Sequence, residues 1–127
     1  MNIRIAWFLG TLLLCPPAHA GDKKEEGRYA AKPLKGDYYL YGGTLGEMTP
    51  PTPQDQKVSL MLTGQLARDL FDRIGPDVKK TAACSTDAGY RERRRGDIAC
   101  THSASEGYAC TFGINIVTGK GTYGSIC

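Results

Sequence analysis

The stretch RERRRGDIACTHSASEGYAC, residues 91–110, holds most of the side chains in this sequence that could do chemistry. Four arginines, Arg91, Arg93, Arg94 and Arg95, are a candidate grip on phosphate or on an acidic protein surface, because a guanidinium pairs bidentately with either. In an extended strand Arg91, Arg93 and Arg95 share one face while Glu92 and Arg94 share the other. Readers of single-stranded nucleic acid interleave such cations with stacking aromatics, and only Tyr90 adjoins this run. Arg95-Gly96-Asp97 spells an adhesion tripeptide, which must sit at an exposed loop tip to act. A strand beginning at Ile98 is expected to set it near a sheet edge instead, with the glycine marking a bulge or strand start. Cys100, His102 and Cys110 carry ligand-type atoms, yet Cys100-x-His102 lacks the ligand spacing of structural zinc sites. His102 with Asp97 and Ser103 or Ser105 has the composition of a serine triad, but no G-x-S-x-G elbow surrounds either serine. Asp69 and Asp72 stand beside arginines in a helical pattern, which suits a solvated, salt-bridged face. No catalytic set, metal or cofactor is expected from these residues.

The compartment follows from the N-terminus and the cysteines together. Arg4 precedes an apolar run over residues 5–15, broken only by Gly10 and Thr11, and Ala18-His19-Ala20 supplies a small-x-small cleavage pattern. The run falls short of the roughly 20 residues that a bilayer core requires. Residues 1–20 are therefore expected to be a signal peptide cleaved after Ala20, leaving no membrane span; bulky Leu14 argues against a lipid on Cys15. Without Arg4, 15 basic residues face 13 acidic ones, a net charge of +2. That is far below the basic excess of domains built around nucleic acid, so no nucleic-acid partner is expected. Cys84, Cys100, Cys110 and Cys127 remain, an even set in an exported chain, and an oxidising compartment pairs them as disulfides. A bond between Cys100 and Cys110 would join strands that a sheet already holds. The expected pairs are therefore Cys84–Cys100 and Cys110–Cys127, each closing about 17 residues and contributing about 3 kcal/mol.

The elements that must carry these residues can be read from periodicity. Residues 21–36 are charged and poor in large apolar side chains, the composition of a mobile arm. DYYLYGG, with Tyr38, Tyr39 and Tyr41, reads as a short strand ended by a turn. Three prolines at 50, 51 and 53 impose an extended connection. Val58, Leu60 and Leu62 alternate with Ser59, Met61 and Thr63 as in a strand, although the apolar positions 58, 62, 66, 70 and 74 would also prolong the helix that follows. Gly64 sits badly inside a helix and Thr63 is a good N-cap, so a strand is expected, then a helix over QLARDLFDRI, residues 65–74. Leu66, Ala67, Leu70, Phe71 and Ile74 form its apolar stripe, while Arg68 with Asp72 and Asp69 with Arg73 are spaced for i,i+4 pairing. Gly75-Pro76 stops it. Two alternating runs, 98–102 and 108–116, joined by SASEG, predict a β-hairpin. A turn over 117–121 and a closing strand over 122–126 follow. The fold class is α+β: one short helix packed on an antiparallel sheet of about four or five strands, its C-terminal half stapled by disulfides, in one domain over residues 37–127.

Over that span the segments YYLYGGTLGE, LTGQLARDLFDRIGPDVKK, RRRGDIAC, GYACTFGIN and TGKGTYGSIC resemble those of small exported bacterial proteins of unassigned function. The resemblance implies a compact periplasmic or secreted domain and carries over no catalytic residue. The function expected is that of a binding protein, an inhibitor or immunity-type partner of another protein, with Arg91, Arg93, Arg94 and Arg95 and the tyrosines Tyr38, Tyr39 and Tyr41 as contact residues. The alternative is an envelope-associated structural or glycan-binding protein that uses the same tyrosines.

Overall fold

In a computed structural model of the chain, residues 31–127 are described. The expected signal peptide and most of the expected arm lie outside them. Residues 31–34 are exposed and irregular, but Lys35 and Gly36 belong to the first strand, so the arm reaches less far than its composition implies.

The strands are β1 (Lys35–Gly43), β2 (Met48–Thr49), β3 (Lys57–Thr63), β4 (Arg91–Arg95), β5 (Ile98–Ser103), β6 (Gly107–Asn115) and β7 (Gly121–Thr122), with one helix, α1 (Gly64–Arg73), after β3. All described pairings are antiparallel, in the order β2-β1-β3-β6-β5-β4. The strand β7 pairs with Gly113 and Ile114 of β6, where β5 leaves off. One helix on an antiparallel sheet is the architecture expected, but the sheet has seven strands rather than four or five. The additions are the two-residue β2 and the arginine run β4, whose short or wholly charged sequences carry no alternating apolar signal; β7 stands where the closing strand was expected. The closing strand expected over 122–126 ends at Thr122, because the residues beyond it leave the sheet edge and run across its face.

The chain enters α1 through Gly64 at φ 69°, in the left-handed region that glycine tolerates best. The helix therefore starts one residue earlier than the propensity of glycine suggests, and Thr63 is its N-cap residue but makes no side-chain capping bond. Its apolar stripe docks on β3, β5 and β6. Ala67, Phe71 and Ile74 are buried with Leu62, Cys100 and Cys110, and Leu70, Ile98, Tyr108 and Phe112 pack around them. The expected helix ion pairs do not close: Asp69 accepts a hydrogen bond from Gln65 Nε2 at 2.8 Å, and the Arg68 guanidinium lies 5.8 Å from the centre of the Tyr108 ring.

Register divides the cysteines between the two sides of the sheet. Cys100 and Cys110 are cross-strand partners on the helix side, and Cys110 Sγ lies 3.3 Å from the Ala67 carbonyl oxygen. Glu92 is next in β4 to Arg93, the partner of Cys100, so its side chain points to the opposite side, where Cys84 meets it. The disulfides are accordingly Cys100–Cys110 and Cys84–Cys127. This corrects the expected pairing for a simple reason: a Cys84–Cys100 bond would have to pass through the sheet. The Cα atoms of Cys100 and Cys110 stand only 4.0 Å apart, so the bond that seemed redundant is the one geometry permits.

Candidate functional site

Alternation sends the arginines of β4 to two sites with different chemistry. Arg91, Arg93 and Arg95 pair with His102, Cys100 and Ile98, and so face the helix. Arg93 donates from Nη1 to the Phe71 carbonyl at 2.8 Å, and Arg95 donates from Nε to the Ile74 carbonyl at 3.1 Å. Both acceptors belong to the C-terminal turn of α1, where free carbonyls carry the negative end of the helix dipole. Arg91 and Arg93 also lie over the buried Phe71 ring, at 5.1 and 4.4 Å from its centre. Asp77 accepts from both, with Arg91 Nε at 2.8 Å and Arg93 Nε at 2.7 Å, and these bonds pull its carboxyl down to about 2. Three of the four arginines expected to meet a partner thus have intramolecular work, clasping the helix end to the sheet.

Arg94 belongs to the other face and to a second cluster. It is ion-paired with Glu92, whose side chain is almost completely withdrawn from solvent at 2 % exposure. The Glu92 carboxylate also accepts from the Cys84 backbone N–H at 2.8 Å and from the Tyr90 hydroxyl at 3.1 Å. Burial, and next the charge of Glu92, push the Tyr90 hydroxyl up to about 12. Arg94 Nη2 lies 3.3 Å from Cys84 Sγ and 3.4 Å from Cys127 Sγ, over an exposed disulfide. Beside it opens a cavity of about 260 Å³, lined also by Ile98, Ala99, Tyr123 and Ser125. Cys84, Glu92 and Cys127 bring ligand-type atoms within 4.8 Å of one another. With the sulfurs bonded together and a guanidinium against both, that group suits an anion on sulfur better than a bound cation.

The C-terminal segment reaches this cluster as a strap across the sheet. Ser59 Oγ donates to the Gly124 carbonyl at 2.5 Å, and the hydroxyls of Thr111 and Ser125 lie 2.8 Å apart. Gly124 approaches so closely that a Cβ there would collide with the Phe112 backbone. The bond to Cys84 then anchors the strap.

The tyrosines divide in the same way. Tyr38 pairs with Leu60 on the helix side, and Tyr39 and Tyr41 pair with Ser59 and Lys57 on the strap side. Tyr41 is buried at 3 % exposure, whereas Tyr38 and Tyr39 are exposed at 69 and 58 %. Leu40 beside them is half exposed as well. Among the described residues the outer edge of β1 is paired only at Gly42 and Gly43, by β2, so Lys35–Tyr41 presents an open strand edge.

The remaining candidates are dispersed. His102 packs against Tyr108, with ring centres 4.4 Å apart, and near Phe71, while its Nδ1 is buried without a hydrogen-bond partner among the described residues. Ser103 points away from it and lies 3.3 Å from Ser105, oxygen to oxygen. Asp97 is in the β4–β5 turn, at the other end of β5 from His102, so the triad residues do not assemble. That turn corrects part of the expectation for Arg95-Gly96-Asp97: β5 does begin at Ile98, but the tripeptide forms the hairpin tip before it rather than a bulge along an edge. Arg95 there is turned back onto the helix end.

Two important groups were not among the expected site residues: Glu92, ion-paired with Arg94, and Asp77, paired with both Arg91 and Arg93. The shared strand face of Glu92 and Arg94 was the one signal for the first, and no strand pattern points to the second. Among the described residues no helix is long and apolar enough to cross a membrane. No protein-family model, curated protein or solved structure matches this chain.

Proposed function

We propose that this chain is an exported, disulfide-stabilised binding module for another protein, of the inhibitor or immunity type, which it engages by strand addition along the outer edge of β1. The observation that carries the reading is the edge itself. Among the described residues, the outer edge of Lys35–Tyr41 has no pairing partner, and it is flanked by exposed Tyr38 and Leu40 on one face and Tyr39 on the other. Backbone pairing supplies affinity in such contacts, and side chains alternating about the added strand supply selectivity. Tyrosine suits the task because it brings a large contact area at small entropic cost. Two disulfides in a chain of this size favour a rigid scaffold and an oxidising compartment, periplasmic or extracellular. Glycan binding would call for a shared aromatic platform, and the neighbours Tyr38 and Tyr39 lie on opposite faces while Tyr41 is buried.

Immobilised oxidised protein should capture one periplasmic or secreted protein. The double variant Tyr38→Lys, Leu40→Lys should lose that capture by about 2 kcal/mol or more, since charge on an edge blocks strand addition. Unchanged circular dichroism and intact disulfides would show that the variant is folded. Equal capture by the variant rules out the β1 edge. Sedimentation with peptidoglycan, without any captured protein, would favour the envelope-associated role instead.

A further inference from the structure

The two disulfides differ in exposure and in the charged groups beside them, both of which govern exchange. Cys100–Cys110 is sealed under the helix, with both residues at 0 % exposure. Cys84 and Cys127 are exposed, and the cavity alongside gives an approaching thiol room to reach them. Exchange also depends on how well the departing sulfur bears negative charge, because a stabilised thiolate leaves faster. Arg94 is placed for that purpose, with Nη2 within 3.4 Å of both sulfurs. A neighbouring guanidinium is among the groups that lower the cost of a thiolate. Glu92 breaks the symmetry between the two sulfurs: its Oε1 lies 3.6 Å from Cys84 Sγ and disfavours charge there, leaving Cys127 as the better departing group. The buried Glu92 carboxylate also fixes the Arg94 head over the bond, through their ion pair.

We propose that Cys84–Cys127 is a thiol-exchange site, opened by a dithiol reductant while Cys100–Cys110 remains closed, and that its opening frees the C-terminal strap from the sheet. A thiolate of the reductant attacks Cys84 Sγ. A new S–S bond forms there, the Cys84–Cys127 bond breaks, and its electron pair leaves on Cys127 Sγ beside Arg94. The second thiol of the reductant, having lost its proton to solvent, then attacks its own sulfur in the mixed disulfide and expels Cys84 as a thiolate. Two electrons pass to the protein, the reductant departs as a disulfide, and the two cysteines take up protons from solvent according to their acidity. Without its anchor the strap beyond β7 keeps, among the described residues, the seat of Gly124 on Phe112 and two short polar contacts, Ser59 with Gly124 and Thr111 with Ser125. Core packing and the second disulfide hold the rest. This inference is independent of the proposed binding role.

The test is limited reduction of the native, oxidised protein with dithiothreitol, followed by alkylation and peptide mapping. Cys84 and Cys127 should be labelled first, with Cys100 and Cys110 still bonded, and hydrogen exchange should accelerate over residues 123–127, beyond β7, alone. With glutathione, a monothiol, the trapped adduct should map to Cys84. Arg94→Met should slow reduction about tenfold, while Arg94→Lys, which keeps the charge, should stay near the native rate. Simultaneous labelling of all four cysteines, a glutathione adduct on Cys127, or equal rates for native and Arg94→Met protein would overturn the proposal. If Arg94→Met does not fold, the labelling order and adduct position in the native protein still decide it.

Discussion

Asp77 is one carboxylate shared by two guanidiniums, and this sharing makes it the acid-sensitive point of the helix clasp. Hydrogen bonds from Arg91, then from Arg93, hold its carboxyl at about 2, well below the ordinary value of 3.8. A depressed carboxyl contributes stability above its unfolded value and loses it as pH falls through the folded one. The clasp should therefore be intact above pH 4 and weaken between about pH 4 and pH 2. Asp77 is 37 % exposed, so solvent and salt screen it, and the effect belongs to the scale of surface pairs. Asp77→Asn should cost up to about 1 kcal/mol near pH 7, less in high salt, and almost nothing below pH 2. Urea titrations of both proteins across that range would measure it; a difference that stays constant with pH would mean that the carboxylate charge is not what holds the clasp. The division of labour among Arg91, Arg93, Arg94 and Arg95 was legible from alternation alone. What they touch was not, because Asp77 and the carbonyls of Phe71 and Ile74 come from a turn and a helix end that no strand periodicity can register.

Among the elements, the strap is the one that periodicity could not reveal. Alternating apolar residues marked β3, β5 and β6, each of which buries one face under α1. Beyond β7, Tyr123–Cys127 buries little; it is held by hydroxyls, by a glycine's missing side chain and by a covalent bond, none of which leaves a period-two pattern. The same alternation contained the disulfide pairing, since Cys100 and Cys110 share a face that Cys84 cannot reach. Register decides the pairing before stability does: the bond that adds less constraint is the one whose cysteines stand opposite each other. Gly124 tests the strap directly. A methyl there would collide with the Phe112 backbone, which pairs with Leu60 of β3 on one side, stands between the β5 and β7 pairings on the other, and cannot yield cheaply. Gly124→Ala should cost about 1–3 kcal/mol, the range for overpacking. Gly119→Ala is the control for overpacking: a Cβ at Gly119 meets open space, so any cost there reflects its φ of 69° alone. Equal urea midpoints for Gly124→Ala and the native protein would show that the strap is not seated as described.

At the scale of the whole molecule, two staples act on a sheet that closes late in the chain. The strand β6 is flanked by β3 and β5, so the strand order cannot be completed until a segment from the end of the chain has found its place beside one near the start. Cys84–Cys127 spans a sequence separation of 43 and Cys100–Cys110 only 10. Loop-closure entropy then assigns about 4 kcal/mol to the first and about 3 kcal/mol to the second. The second also fills core volume under Ala67 and Phe71, so replacing its cysteines by alanine adds a packing loss that the exposed bond does not have. A domain of this size holds about 5–15 kcal/mol in total, enough to survive either loss and not enough to survive both comfortably. The double variant Cys84→Ser, Cys127→Ser should therefore remain folded, with a lower urea midpoint and an open strap. Cys100→Ala, Cys110→Ala should fall at least as far despite closing the shorter loop, because core packing is lost along with the constraint. The variant lacking all four cysteines should be unfolded in water. If the exposed pair proves the costlier to remove, chain entropy outweighs core packing in this fold; if the four-cysteine variant retains cooperative unfolding, helix and sheet alone suffice and the staples serve exchange rather than stability.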